Sequence, residues 1–92
     1  MIKKAYEKPR EVEYIEFKGK ENFKEVGEFI EENVFLITNA EGQERLMRNG
    51  IKDNVTYPIG TIFYEYYDEE IYDYVIKVSN KKSFFDKYGD IN

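Results

Sequence analysis

The sequence predicts an α+β fold: a four- to five-stranded, mostly antiparallel sheet, one helix packed across it, and a short C-terminal helical turn. Three observations lead there. Apolar residues recur at helical spacing over one segment, at Phe23, Val26, Phe29 and Ile30. Strand-length runs rich in β-branched and aromatic residues fill most of the rest. Two of those runs, Thr61 to Tyr67 and Ile71 to Val78, are separated only by Asp68-Glu69-Glu70, which marks a hairpin with an acidic turn.

Residues 1–10 mix charges around Pro9 and read as an irregular lead-in. Val12 to Phe17 follows as a strand, with Ile15 and Phe17 on one face and Val12 and Tyr14 on the other, so both faces are expected to touch protein. Gly19 breaks it. Asn22 is the candidate N-cap of the helix over 22–31, and Glu25 completes a capping-box pattern. Opposite the apolar stripe lie Lys24, Glu25, Glu28, Glu31 and Glu32. The last two sit where the macrodipole disfavours negative charge, so the helix should end near Ile30 or Glu31, with Asn33 as its left-handed stop.

Val34 to Thr38 is a continuous apolar run and the candidate central strand. Asn39-Ala40-Glu41-Gly42 reads as a turn into a more polar strand at Glu44 to Arg48, and Asn49-Gly50 as a further turn. Residues 51–58 are irregular, and Pro58 argues against a central strand there. After the hairpin, Ser79 or Asn80 caps a closing turn through Ser83-Phe84-Phe85-Asp86-Lys87-Tyr88, stopped by Gly89. The order is β-α-β-β-β-β-α. Phe23, Val26, Phe29, Ile30, Val34, Leu36 and Ile62 are the expected core.

With 92 residues the chain is expected to form one domain, 1–92, small enough that folding hides only ~60–65% of the surface its unfolded chain exposes. The absence of cysteine excludes a disulfide framework and a Cys-based zinc site, and fits a reducing compartment. The absence of histidine leaves general acid–base work to carboxylates, lysine or tyrosine. No apolar run approaches the ~20 residues of a membrane span, and no apolar stretch follows Met1-Ile2-Lys3-Lys4 as in a secretory signal. A net charge of −5 opposes nucleic acid on average.

Lys8-Pro9, the strand Val12 to Phe17, Gly19, Asn22, Glu25-Val26 and Glu28-Phe29-Ile30 together resemble the opening of a small protein family common in phages and prophages of Gram-positive bacteria. Gly60 with Ile62 resembles the family's Gly-Asp-Tyr strand start, Ile71-Tyr72 its second hairpin strand, and Ser83 to Tyr88 its closing acidic-aromatic-basic turn. The chain departs by its longer hairpin and by lacking the Cys-Lys-Pro usual before that turn. The resemblance spans nearly the whole chain. It implies a phage origin, a shared fold and the cytoplasm of a bacterial host, and it brings no catalytic residues.

The densest carboxylate group is Glu65, Asp68, Glu69, Glu70 and Asp73, with no basic residue among them. Such a group could share a proton or hold a hard cation, although the spacing matches no calcium loop. The simpler and preferred reading is a solvated turn whose charges keep a hairpin tip from edge pairing. Tyr64, Tyr66, Tyr67, Tyr72 and Tyr74 interleave with these carboxylates. Alternation sends Tyr64 and Tyr66 one way and Phe63 and Tyr67 the other. Some must line the core, and the surplus rings suit a protein interface. Spaced carboxylates and tyrosines could also imitate a nucleic-acid backbone in a basic groove.

Direct nucleic-acid binding is disfavoured. Lys3, Lys4, Lys8 and Arg10 are diluted by Glu7 and Glu11, and Lys77, Lys81 and Lys82 read as solvated. Gly42, Gly50 and Gly60 form no phosphate-cradling pattern, and Ser79 and Ser83 have no base to activate them. No cofactor is implied. The expected function is non-enzymatic: binding a host or phage protein, a basic-surfaced nucleic-acid-binding or defence protein of the host among the candidates for inhibition, through Glu65, Tyr66, Tyr67, Asp68, Glu69, Glu70, Tyr72 and Asp73. A self-associating homodimer and a small carboxylate- or metal-dependent enzyme stand as the alternatives.

Overall fold

The computed structural model describes residues 12–48 and 55–88. The described strands are β1 (Glu13–Glu16), β2 (Val34–Thr38), β3 (Glu44–Arg48), β4 (Thr56–Pro58), β5 (Ile62–Asp68) and β6 (Asp73–Ser79). The helices are α1 (Phe23–Ile30) and α2 (Lys81–Lys87), with a 3-10 turn at Gly19–Glu21. The lead-in at 1–10, the Asn49-Gly50 turn and the Gly89 stop lie outside the described residues.

The α+β class and the antiparallel pairing match expectation, but the single sheet of four to five strands does not. Six described strands form two three-stranded antiparallel sheets, ordered β1-β5-β6 and β2-β3-β4. The division falls at Pro58 and Gly60. β4 pairs with β3 through Arg45↔Pro58, Leu46↔Tyr57 and Met47↔Thr56, and proline ends the strand because it has no N–H to extend a ladder. Gly60, at φ 98°, then turns the chain. Its N–H donates to the Phe17 carbonyl at 2.9 Å and the Phe17 N–H donates to the Thr61 carbonyl at 2.8 Å. The following strand therefore pairs with β1.

Val34 to Thr38 is a strand, though an edge strand and not the centre of its sheet. Its apolar run is shared between faces: Val34 and Leu36 pack on the core, while Phe35 points outward and is exposed. β5 is the strand buried on both faces. Phe63 joins Phe17, Val26, Ile30 and Leu46 beneath α1 and the second sheet, while Ile62 and Tyr64 join Phe84 of α2 on the reverse face. β1 shows the same division, with Ile15 in the first cluster and Tyr14 in the second.

The expected core residues all take part. Val26, Ile30 and Ile62 are buried, and Phe23, Phe29, Val34 and Leu36 are half-buried against them. α2 holds its face through one residue above all. The Phe84 ring lies 4.9 Å from that of Tyr14, 5.2 Å from Tyr64 and 5.0 Å from Tyr88. Removing such a ring costs about 3–5 kcal/mol, much of a small domain's total of about 5–15 kcal/mol. Asn80 caps this helix by accepting the Ser83 N–H at 2.7 Å.

Three local expectations are corrected. Asn22 precedes α1, but its side chain makes no helix-cap bond. Its Oδ1 accepts the Lys18 N–H and its Nδ2 donates to the Glu16 carbonyl, both at 2.7 Å, so it pins the exit of β1. The left-handed stop of α1 is Glu31 at φ 56°, not Asn33. Glu32 N–H reaches back to the Gly27 carbonyl at 3.1 Å, closing a Schellman-type turn that leaves no helical role for Asn33. Finally, Ile71 and Tyr72 belong to the turn, and β6 begins at Asp73. The other tight turn is as expected: Asn39 Oδ1 accepts the N–H groups of Glu41 and Gln43, and Gly42 takes φ 81°.

Candidate interaction site on the β5–β6 hairpin

Seven residue pairs join β5 to β6, from Ile62↔Ser79 to Asp68↔Asp73. β1 accompanies β5 only from Ile62 to Glu65. Beyond Glu65, among the described residues, the hairpin continues as a two-stranded ribbon carrying Tyr66, Tyr67 and Asp68 on one strand and Asp73, Tyr74 and Val75 on the other. A two-stranded ribbon is marginal alone in water; the described contacts that support this one are the sheet behind it and its own cross-strand pairs.

Alternation divides the expected site residues between two faces. Tyr66 lies on the α2 face, packs on the Ile62–Tyr64–Phe84 cluster and stacks on Tyr64 with centroids 6.2 Å apart. It belongs to the core more than to a surface. Tyr67 points the opposite way and meets Tyr74 across the ladder, centroids 5.3 Å apart at 71°. This edge-to-face pair stays open to solvent, with Tyr67 44% and Tyr74 64% exposed.

At the tip, the Asp68 carboxylate accepts the Glu70 N–H at 2.9 Å and folds the turn. Glu69, Glu70 and Asp73 are exposed, whereas Glu65 and Asp68 are half-buried. Glu65 stands opposite Glu13 on β1 and Ile76 on β6. Tyr72 is 81% exposed and sits at φ 55°. A bulky side chain in the left-handed region costs on the order of 1 kcal/mol relative to glycine. The turn thus holds an aromatic ring outward in a conformation that glycine would adopt more easily.

Among the described residues, none of the five hairpin carboxylates forms an ion pair. The two described ion pairs are Arg48 with Glu32 and Lys81 with Glu16. Among the same residues no three carboxylates converge to hold a metal ion, and no helix is long and apolar enough to cross a membrane. Lys77 and Lys82 are exposed, while Lys3, Lys4, Lys8 and Arg10 lie outside the described residues.

Sequence reasoning placed the site on this hairpin but omitted Tyr74 and Ile71 from it, both exposed. The missing signal was register: once Asp68 pairs with Asp73, Tyr67 must face Tyr74. No family model, curated protein or solved structure matches this chain.

Proposed function

We propose that the protein acts by binding another protein through the distal β5–β6 hairpin, as a non-enzymatic phage accessory factor in the cytoplasm of a bacterial host. The observation that carries this reading is the solvent-open Tyr67–Tyr74 pair beside carboxylates that have no cationic partner among the described residues. Tyrosines with rigid, amphipathic rings are the residues that dominate binding energy at interfaces. Unpaired carboxylates around them favour a partner with a basic surface and speed its approach.

A nucleic-acid-binding or defence protein of the host fits that chemistry, with Glu69, Glu70 and Asp73 standing where phosphates would lie. The resemblance to phage and prophage proteins supports the setting. The carboxylate-dependent enzyme has less support, since no three of these groups converge.

Affinity capture from host lysate, compared between the native chain and a Glu69→Lys/Glu70→Lys variant, tests the proposal. Loss of one reproducible partner in the variant, and its release from the native chain as added salt shortens the screening length below the ~8 Å of physiological buffer, is the expected result. Retention of the same partner by the variant removes the hairpin tip as the site.

A further inference from the structure

β6 is an edge strand, and among the described residues nothing pairs with its outer side. Over seven residues it carries one acidic and one basic side chain, Asp73 and Lys77, placed symmetrically about Val75. Both are exposed, as are Tyr74 and Val78. An open strand of this length is a template for another strand unless charges or bulges blunt it.

We infer that a second copy of this chain pairs with β6, antiparallel and two-fold symmetric about Val75, joining two three-stranded sheets edge to edge. Directly opposite residues in an antiparallel ladder share a face and lie ~4.5–5.5 Å apart. With Val75 facing Val75 of the second copy, Asp73 meets Lys77 twice, once on each side of the axis. Tyr74 meets Ile76, and Tyr72 comes alongside Val78. Each exposed ring or aliphatic side chain of this edge thereby gains an apolar neighbour, and each charge gains its opposite. The contact is isologous, so it closes at two copies and does not run on into a fibre.

Among the described residues the ribbon beyond Glu65 has two strands, and the second copy adds a further strand on its β6 side. The other edges lack this match. β1 carries only acidic charges, Glu13 and Glu16, so no symmetric pairing of that strand sets a carboxylate against a cation. β2 is uncharged from Val34 to Thr38, so no charge pair sets a register there.

This pairing shares Asp73 and Tyr74 with the hairpin reading but is tested apart from it, because the purified chain alone reports it. Light scattering against concentration should show a reversible monomer–dimer equilibrium. Asp73→Lys or Lys77→Asp places like charges opposite each other twice and should weaken the dimer about tenfold, while the double exchange restores it. The native chain has no cysteine, so Val75→Cys should cross-link to itself on mild oxidation. Leu36→Cys and Lys77→Cys should not. A chain monomeric at every concentration, a double exchange that fails to restore the dimer, or cross-linking through Leu36→Cys in place of Val75→Cys overturns the inference.

Discussion

Tyr67 and Tyr74 face each other across β5 and β6, ring edge to ring face, beyond the last described pair of β1 with β5, Glu13↔Glu65. A pair so placed adds little to folding, because water still reaches both rings. Replacing both with serine should change stability by less than about 1 kcal/mol. It should weaken binding to the partner more than about tenfold, as loss of aromatic interface residues does. Thermal unfolding and titration against the captured partner separate the two effects.

Glu31 ends α1 in the left-handed region, with a negative charge at the negative end of the helix dipole. Glu31→Gly relieves both penalties. The variant should gain about 0.5–1 kcal/mol, measured as a higher denaturation midpoint with unchanged slope.

Gly27 lies inside α1, where alanine normally gains about 1 kcal/mol over glycine. Here the added methyl would stand 2.8 Å from Val34 Cγ2 and 3.1 Å from the Glu32 carbonyl. Valine is stiff about its single side-chain torsion, and the carbonyl is held by the Schellman-type turn region. Gly27→Ala should therefore destabilise by about 1–2 kcal/mol, and Gly27→Ala with Val34→Ala should recover part of that loss in a double-mutant comparison.

Arg48 Nε on β3 donates to the Glu32 carboxylate at 2.6 Å, tying the end of α1 to the second sheet. Burial works against the guanidinium charge, but hydrogen bonds to Tyr57 and Glu32 outweigh it and raise its pKa above the ordinary arginine value. A raised pKa stabilises the fold at every pH below the unfolded value and is lost only as pH climbs through the folded one. For arginine both values lie far above neutrality, so its contribution should stay constant through mildly alkaline solution. A double-mutant cycle with Arg48→Gln and Glu32→Gln should give a coupling of about 0.5–2 kcal/mol, unchanged between neutral and mildly alkaline buffer.

Periodicity located the elements because it depends on which residues alternate between water and core. Phe23, Val26, Phe29 and Ile30 announced α1, and the β-branched runs announced β5 and β6. The turns at Asn39 and the cap at Asn80 were legible for a related reason, since short polar side chains bond to backbone groups a few residues away. Asn22 shows the limit of that logic. Its side chain had two sets of nearby backbone groups to choose from, and the exit of β1 won.

Chain chemistry by itself set the α+β class, the amphipathic helix, the tyrosine-rich acidic hairpin and the lack of histidine and cysteine. Only the folded arrangement decided that Pro58 and Gly60 split the strands into two sheets, that Tyr66 turns inward while Tyr67 and Tyr74 stay open, and that β6 is left as an edge. Local patterns record a residue's preference for water or core, but strand order and register depend on contacts between segments far apart in the chain: here the packing of Phe17, Leu46 and Phe63 on one face of β5 and of Tyr14, Tyr64 and Phe84 on the other.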